Sequence, residues 1–298
     1  MPLNDGAQTA TGGGAPQGES VATWALWALL LVVLVATYAR LEPAELYSVS
    51  RDGLYGGLSR AVVELNFPVS LVAIALVLVA SDALPRRAWW VAAPAIGLCA
   101  VTAFPGVVNQ DDLDARWVNG IPTVGVALAL GLTAAAARRA GTGPAPRLPL
   151  DLVRVAIFAV ALVVSIPWFA AELGFFLPEG VFIMDRPGIE PNGTTIAAVH
   201  LGHHHGLDGT VIVLSALLLS RPRLHTRGLA RATRAYLSLA FAYGAINLAE
   251  DLWHEQVVKR DWVEWRIPSA LHPTVEPMWL VILGLAAATA FVLRAEGR

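Results

Sequence analysis

Long apolar runs repeated along the whole chain constrain it more than any other feature. Eight of them lie at roughly 21–39, 62–80, 88–105, 121–137, 152–176, 194–220, 233–254 and 272–293. Runs of this length with few charges are the signature of membrane-spanning helices. They are too long and continuous for the strands of a barrel, and lipid leaves no third way to satisfy backbone polar groups. The expected fold is therefore all-α, a polytopic integral membrane bundle of about eight transmembrane helices. Composition agrees: 56% of the 298 residues are hydrophobic and 15% are charged, against about 25% charged in soluble domains. A net charge of −2 gives no basic field for nucleic acid. The single cysteine, Cys99, cannot form an internal disulfide.

The first 20 residues are rich in Gly, Ala, Ser, Thr and Gln and read as a disordered tail. Residues 21–293 read as one transmembrane domain without internal repeats. No Lys or Arg precedes the first span, as a signal peptide would require, although Thr37 and Ala39 imitate a cleavage site. With eight spans, both termini share a side with the second, fourth and sixth connections. That side carries thirteen of the 21 basic residues, five of them (Arg221, Arg223, Arg227, Arg231 and Arg234) at the sixth connection. The positive-inside rule then puts both termini in the cytoplasm and the protein in a plasma membrane, multi-pass; the bias of Arg over Lys suggests a bacterial, GC-rich genome.

Ionisable groups inside spans are expensive and mark function by default. The sixth span carries His200, His203, His204, His205 and Asp208, of which all but His205 share one arc at 100° per residue. Tyr243, Asn247, Glu250, Asp251 and His254 in the seventh follow one helical face. His272 opens the eighth span, with Glu276 one turn later. Glu172 ends the fifth and Glu64 opens the second. Under the eight-span topology Glu64, Glu172, His200, His203, Glu250, Asp251, His254, His272 and Glu276 all fall in the outer half of the membrane, and Asp208 extends the stripe deeper.

Imidazoles and carboxylates facing one another in a dry bundle are a ligand set for Fe, Cu or Zn, one ion or two. Helix-bundle di-iron sites use acid-x-x-His pairs, and Asp251-x-x-His254 has that spacing. The candidate ligands are Glu172, His200, His203, His204, Asp251, His254, His272 and Glu276. Tyr243 and Asn247 are candidates for hydrogen bonding around the cofactor. Glu250 and Glu276 are the candidate general bases.

Three short resemblances bear on this. The stretch His200-Leu201-Gly202-His203-His204 resembles the His box of membrane fatty-acid desaturases and hydroxylases. The stretch from His204 to Gly209 resembles an element of ZIP-type metal transporters, which also have eight spans. His200, His254 and His272 resemble the three-His zinc set of ceramidase-like and adiponectin-receptor-like hydrolases. The favoured reading is a metal-dependent membrane enzyme, an oxygen-activating oxidoreductase or a zinc hydrolase, acting on a lipid-soluble substrate among membrane lipid. A transporter for a divalent metal or protons is the alternative, although the inner halves of the later spans are apolar. A haem-binding redox or sensor protein comes third. Oligomeric state is open.

Overall fold

Two helices that are buried nearly all round organise the bundle: α3 (Val69–Ala83) and α8 (His205–Leu219). A helix that is apolar on every side has no solvent face and belongs in a core or a membrane. The computed structural model describes residues 14–40, 52–104, 114–173, 205–270 and 276–296, with residue 107 and strand residues 188–189 and 195–196. Around the two central helices stand α1 (Gly18–Arg40), α2 (Gly53–Asn66), α4 (Trp89–Ala100), α5 (Gly120–Ala140) and α6 (Asp151–Val164). The short α7 (Ile166–Glu172), α9 (Arg227–Trp253) and α10 (Met278–Glu296) complete them. A wide π turn, His254–Val258, continues α9. One small antiparallel hairpin pairs Gly188 with Ile196 and Ile189 with Thr195. The rest of the described secondary structure is helical.

Three helices are long and apolar enough to cross a membrane: α1, the helical segment Trp117–Ala140 and α10. The bent pair α2–α3 makes a fourth if it forms one span. The sequence led us to expect eight spans, and the described helices differ from that expectation in identifiable places. The span expected at 62–80 begins at Gly53 and turns by 52° between Asn66 and Val69. Pro68 causes this, because it lacks an N–H and forces the preceding Phe67 into extended backbone, φ −130° and ψ 158°. The span expected at 152–176 is interrupted at Ser165, two residues before Pro167, as that proline leads one to expect. Within the span expected at 194–220, Thr195 and Ile196 are strand residues of the small hairpin, and the described helix is α8, 15 residues or about 22 Å at 1.5 Å per residue. At the N-terminus α1 starts at Gly18, inside the stretch read as a tail, with Ala15 and Gln17 already buried. Gln17 N–H donates to the Gly141 carbonyl at the end of α5 (2.9 Å).

Hydrogen bonds show which helix ends lie together. Asp82, at the end of α3, accepts the backbone N–H groups of His225 and Thr226 at the start of α9, both at 2.9 Å. Arg221, just beyond α8, donates to Glu19 of α1 (2.7 Å) and to Asp151 of α6 (3.2 Å). Arg154 of α6 donates to Glu296 of α10 (2.9 Å). The starts of α1, α6 and α9 and the ends of α3, α5, α8 and α10 therefore meet at one end of the bundle, the arginine-rich end. Within α2, Arg60 and Glu64 form an ion pair at 3.0 Å with both side chains 1% exposed. The Arg60 guanidinium also lies 5.8 Å from the centre of the Tyr38 ring. Sequence reading picked out Glu64 alone and overlooked its partner one turn before it.

Candidate functional site

The polar stripe expected on the seventh span forms, with a different membership. Of the expected stripe on α9, Tyr243, Asn247 and Asp251 are buried, and Glu255 in the π turn extends them. Spacing of four residues keeps each side chain nearly above the last, and the wider π turn carries Glu255 onto the same line. Glu250 and His254 flank this line and are half-buried. Sequence reading ended the stripe at His254 and missed Glu255, although continuing the i, i+4 series from Asp251 would have reached it.

The α8–α9 crossing fixes Asp251. Its Oδ2 accepts the Gly206 backbone N–H at 2.8 Å, and the side chain is 1% exposed. A Cβ at position 206 would lie 2.6 Å from that oxygen and 2.6 Å from the Trp168 ring. Only glycine lets the N–H, the carboxylate and the indole meet here. One turn on, the Gly209 and Gly244 backbones touch, which lets the two helices approach closely. Asp208, between these glycines in sequence, is also buried. Trp168 is buried against Gly206. Trp90, Trp117, Trp262 and Trp265 are exposed.

Asn247 donates from Nδ2 to the Tyr243 carbonyl at 3.0 Å, and its Oδ1 has no hydrogen-bond partner among the described residues. Glu255 holds Lys259 Nζ at 2.6 Å through Oε1, while its buried Oε2 has no partner among those residues. Tyr243 stacks on Trp279 of α10, ring centres 5.8 Å apart and planes 15° apart. It meets Phe67 edge to face at 6.2 Å.

That aromatic group walls an apolar cavity of about 260 Å³ between α3, the end of α4, α9 and α10, lined also by Leu71, Ile74, Thr102 and Tyr236. The Tyr236 hydroxyl is committed to the Leu71 carbonyl at 2.7 Å, so the cavity walls present little polarity. Tyr243 belongs to both the cavity and the polar stripe. It lies eight residues before Asp251, about 12 Å along the helix.

The other sequence-derived candidates divide as follows. Glu276 is exposed, just before α10, where its carbonyl accepts the Trp279 N–H at 3.0 Å. Glu172 is the last residue of α7, and its side chain lies outside the described residues, as do His200, His203, His204 and His272. Among the described residues, no three His, Cys, Asp or Glu side chains gather as a metal-ligand set. What the described residues do bring together is Asp251, Asn247, Tyr243 and Glu255 on α9, with Gly206 and Asp208 on α8 opposite. Compared with family models, curated proteins and solved structures, the chain matches none.

Proposed function

We propose that this chain is a metal-dependent membrane enzyme acting on a lipid-soluble substrate. In this reading it spans a bacterial plasma membrane eight times with both termini cytoplasmic, and the Asp251 end of α9 faces outward. The observation that carries the reading is the Asp251 carboxylate, buried and fixed by the Gly206 N–H, on the helix face that also walls an apolar cavity. A buried carboxylate is expensive unless it is paired, protonated or bound to a cation. Its neighbours in sequence supply the nitrogen ligands: His254 three residues on, and His200, His203 and His204 just before α8. His272 would complete the set, with Glu172 and Glu276 as further oxygen donors.

Zn bound there would supply an acidified water for hydrolysis, whereas Fe or Cu would supply oxygen activation. The chain's own residues supply the rest. Gly206 N–H orients the Asp251 carboxylate. Asn247, buried one turn before Asp251 with an amide oxygen that has no partner among the described residues, is the candidate hydrogen-bonding group beside the site. Glu250, half-buried beside Asp251, is the candidate base. The cavity walled by Phe67, Tyr243 and Trp279 accepts an apolar group and excludes water.

Elemental analysis of untagged protein purified in detergent tests the reading. One or two equivalents of Fe, Cu or Zn per chain are expected, falling at least tenfold in Asp251→Asn, which keeps the shape and an acceptor for Gly206. Metal-free protein that also takes up none on reconstitution would end the enzyme proposal.

A further inference from the structure

The arginine-rich end of the bundle holds a second cavity, remote from Asp251. It measures about 170 Å³ and is bordered by Arg221, Arg223, Arg234, Thr233 and Glu296. Arg221 is committed to Glu19 and Asp151, and Glu296 to Arg154 and the Leu150 N–H. Arg223 and Arg234 have no ion pair among the described residues. Four guanidinium groups thus face three carboxylates, and the surplus positive charge sits at the cavity. Thr233 adds a second, independent observation. It is 5% exposed, and its buried hydroxyl has no hydrogen-bond partner among the described residues. Leaving a buried hydroxyl unbonded is unfavourable, and an acceptor oxygen held by Arg223 and Arg234 would satisfy it.

An apolar groove of about 230 Å³ continues from this cavity. Ser220, Leu237 and Leu293 border both. The groove runs between α6 and α10 over α8 and α9, past Ile157, Leu217 and Phe241. Helices α6 and α10 meet through Arg154 and Glu296, and outward faces of both are exposed, including Val153, Val160, Leu283 and Phe291. A basic pocket with a buried hydroxyl, opening into an apolar trough between two outer helices, has the shape and polarity of one amphiphile.

We propose that this is a binding site for one anionic phospholipid of the surrounding bilayer. Its phosphate lies between Arg223, Arg234 and the Thr233 hydroxyl, and one acyl chain fills the groove between α6 and α10. Basic pockets between membrane helices take such headgroups by the same chemistry. The positive-inside rule alone explains the number of arginines here, but neither the enclosed Thr233 hydroxyl nor the trough joined to it.

The test is native mass spectrometry of the full-length protein, released from nanodiscs holding equal fractions of phosphatidylglycerol and phosphatidylcholine. One retained phosphatidylglycerol per chain is expected. Arg223→Gln/Arg234→Gln should lower its occupancy at least tenfold, and Ala288→Phe, which fills the trough, should do so without touching the charges. Circular dichroism and thermal melting establish that each variant is folded; a variant that is not is replaced by Thr233→Val, for which the same loss is expected. Equal retention of the two lipids by the wild type would overturn the proposal. So would unchanged occupancy in the folded variants, or protection from heat by inorganic phosphate alone as great as that by the lipid.

Discussion

Gly209→Ala is the most direct test of the α8–α9 crossing that holds Asp251. A Cβ at residue 209 would stand 2.6 Å from the Gly244 carbonyl oxygen and 2.8 Å from the Leu248 nitrogen. Both are backbone atoms of α9, so no side chain can swing aside. Ordinary contact begins near 3.4 Å, which means the helices must part by about 0.8 Å along this line. Overpacking of this kind costs about 1–3 kcal/mol. The same displacement one turn earlier would stretch the Gly206 to Asp251 hydrogen bond from 2.8 Å to about 3.6 Å, which no longer counts as one. Losing it adds about 1–3 kcal/mol. Alanine in place of helical glycine returns about 1 kcal/mol through backbone entropy. The control for that last effect is Gly131→Ala in α5, where an added Cβ meets nothing within 4 Å. The two variants should therefore differ by about 2–6 kcal/mol, the sum of the clash and hydrogen-bond costs. Reversible unfolding in mixed micelles with rising SDS, followed by tryptophan fluorescence, reads this difference. If the two midpoints correspond to stabilities within about 0.5 kcal/mol of one another, the spread expected of surface changes, the close crossing is not a constraint and the account of Asp251 positioning fails with it.

Two further predictions follow from the ion pairs. Arg60→Met removes the cation 3.0 Å from a carboxylate that is 1% exposed and should destabilise by about 3–5 kcal/mol, while Arg60→Met/Glu64→Met should return to wild-type stability or exceed it. A double-mutant cycle in the same micelles checks both, and a double variant as unstable as the single one would contradict the buried-pair reading. Asp151, outside the apolar spans, feels burial that would raise its carboxyl. The Leu148 N–H and the charges of Arg221 and Arg154 outweigh this and hold it below the ordinary aspartate range. A depressed carboxyl stabilises the fold above its unfolded value, near pH 3.9, and that contribution fades as pH falls through the lower folded value. The melting temperature of wild type should exceed that of Asp151→Asn at pH 6, with the gap closing below about pH 4; a gap independent of pH would contradict it.

The amino-acid pattern alone reached the helical, membrane-type class. A chain with so much apolar surface and so few charges has no other way to hide its backbone from lipid. It also reached Tyr243, Asn247 and Asp251 as one face, because helical periodicity is a local property that spacing reports directly. Tertiary structure decided the rest. Glu64 stood alone in the sequence reading; α2, which starts at Gly53 and ends before Pro68, puts Arg60 beside it on one buried face. Spacing gave Gly206 and Gly209 no structural role; packed against α9, the missing side chain of Gly206 is what lets its N–H reach Asp251. Nothing in the sequence pattern singled out Thr233 beside its arginine cluster. Only the packing of α6, α8, α9 and α10 encloses its hydroxyl beside a cavity. The physical reason is common to all three. Periodicity and hydropathy depend on neighbours along the chain, whereas which polar group is buried, and beside what, depends on residues tens to hundreds of positions away.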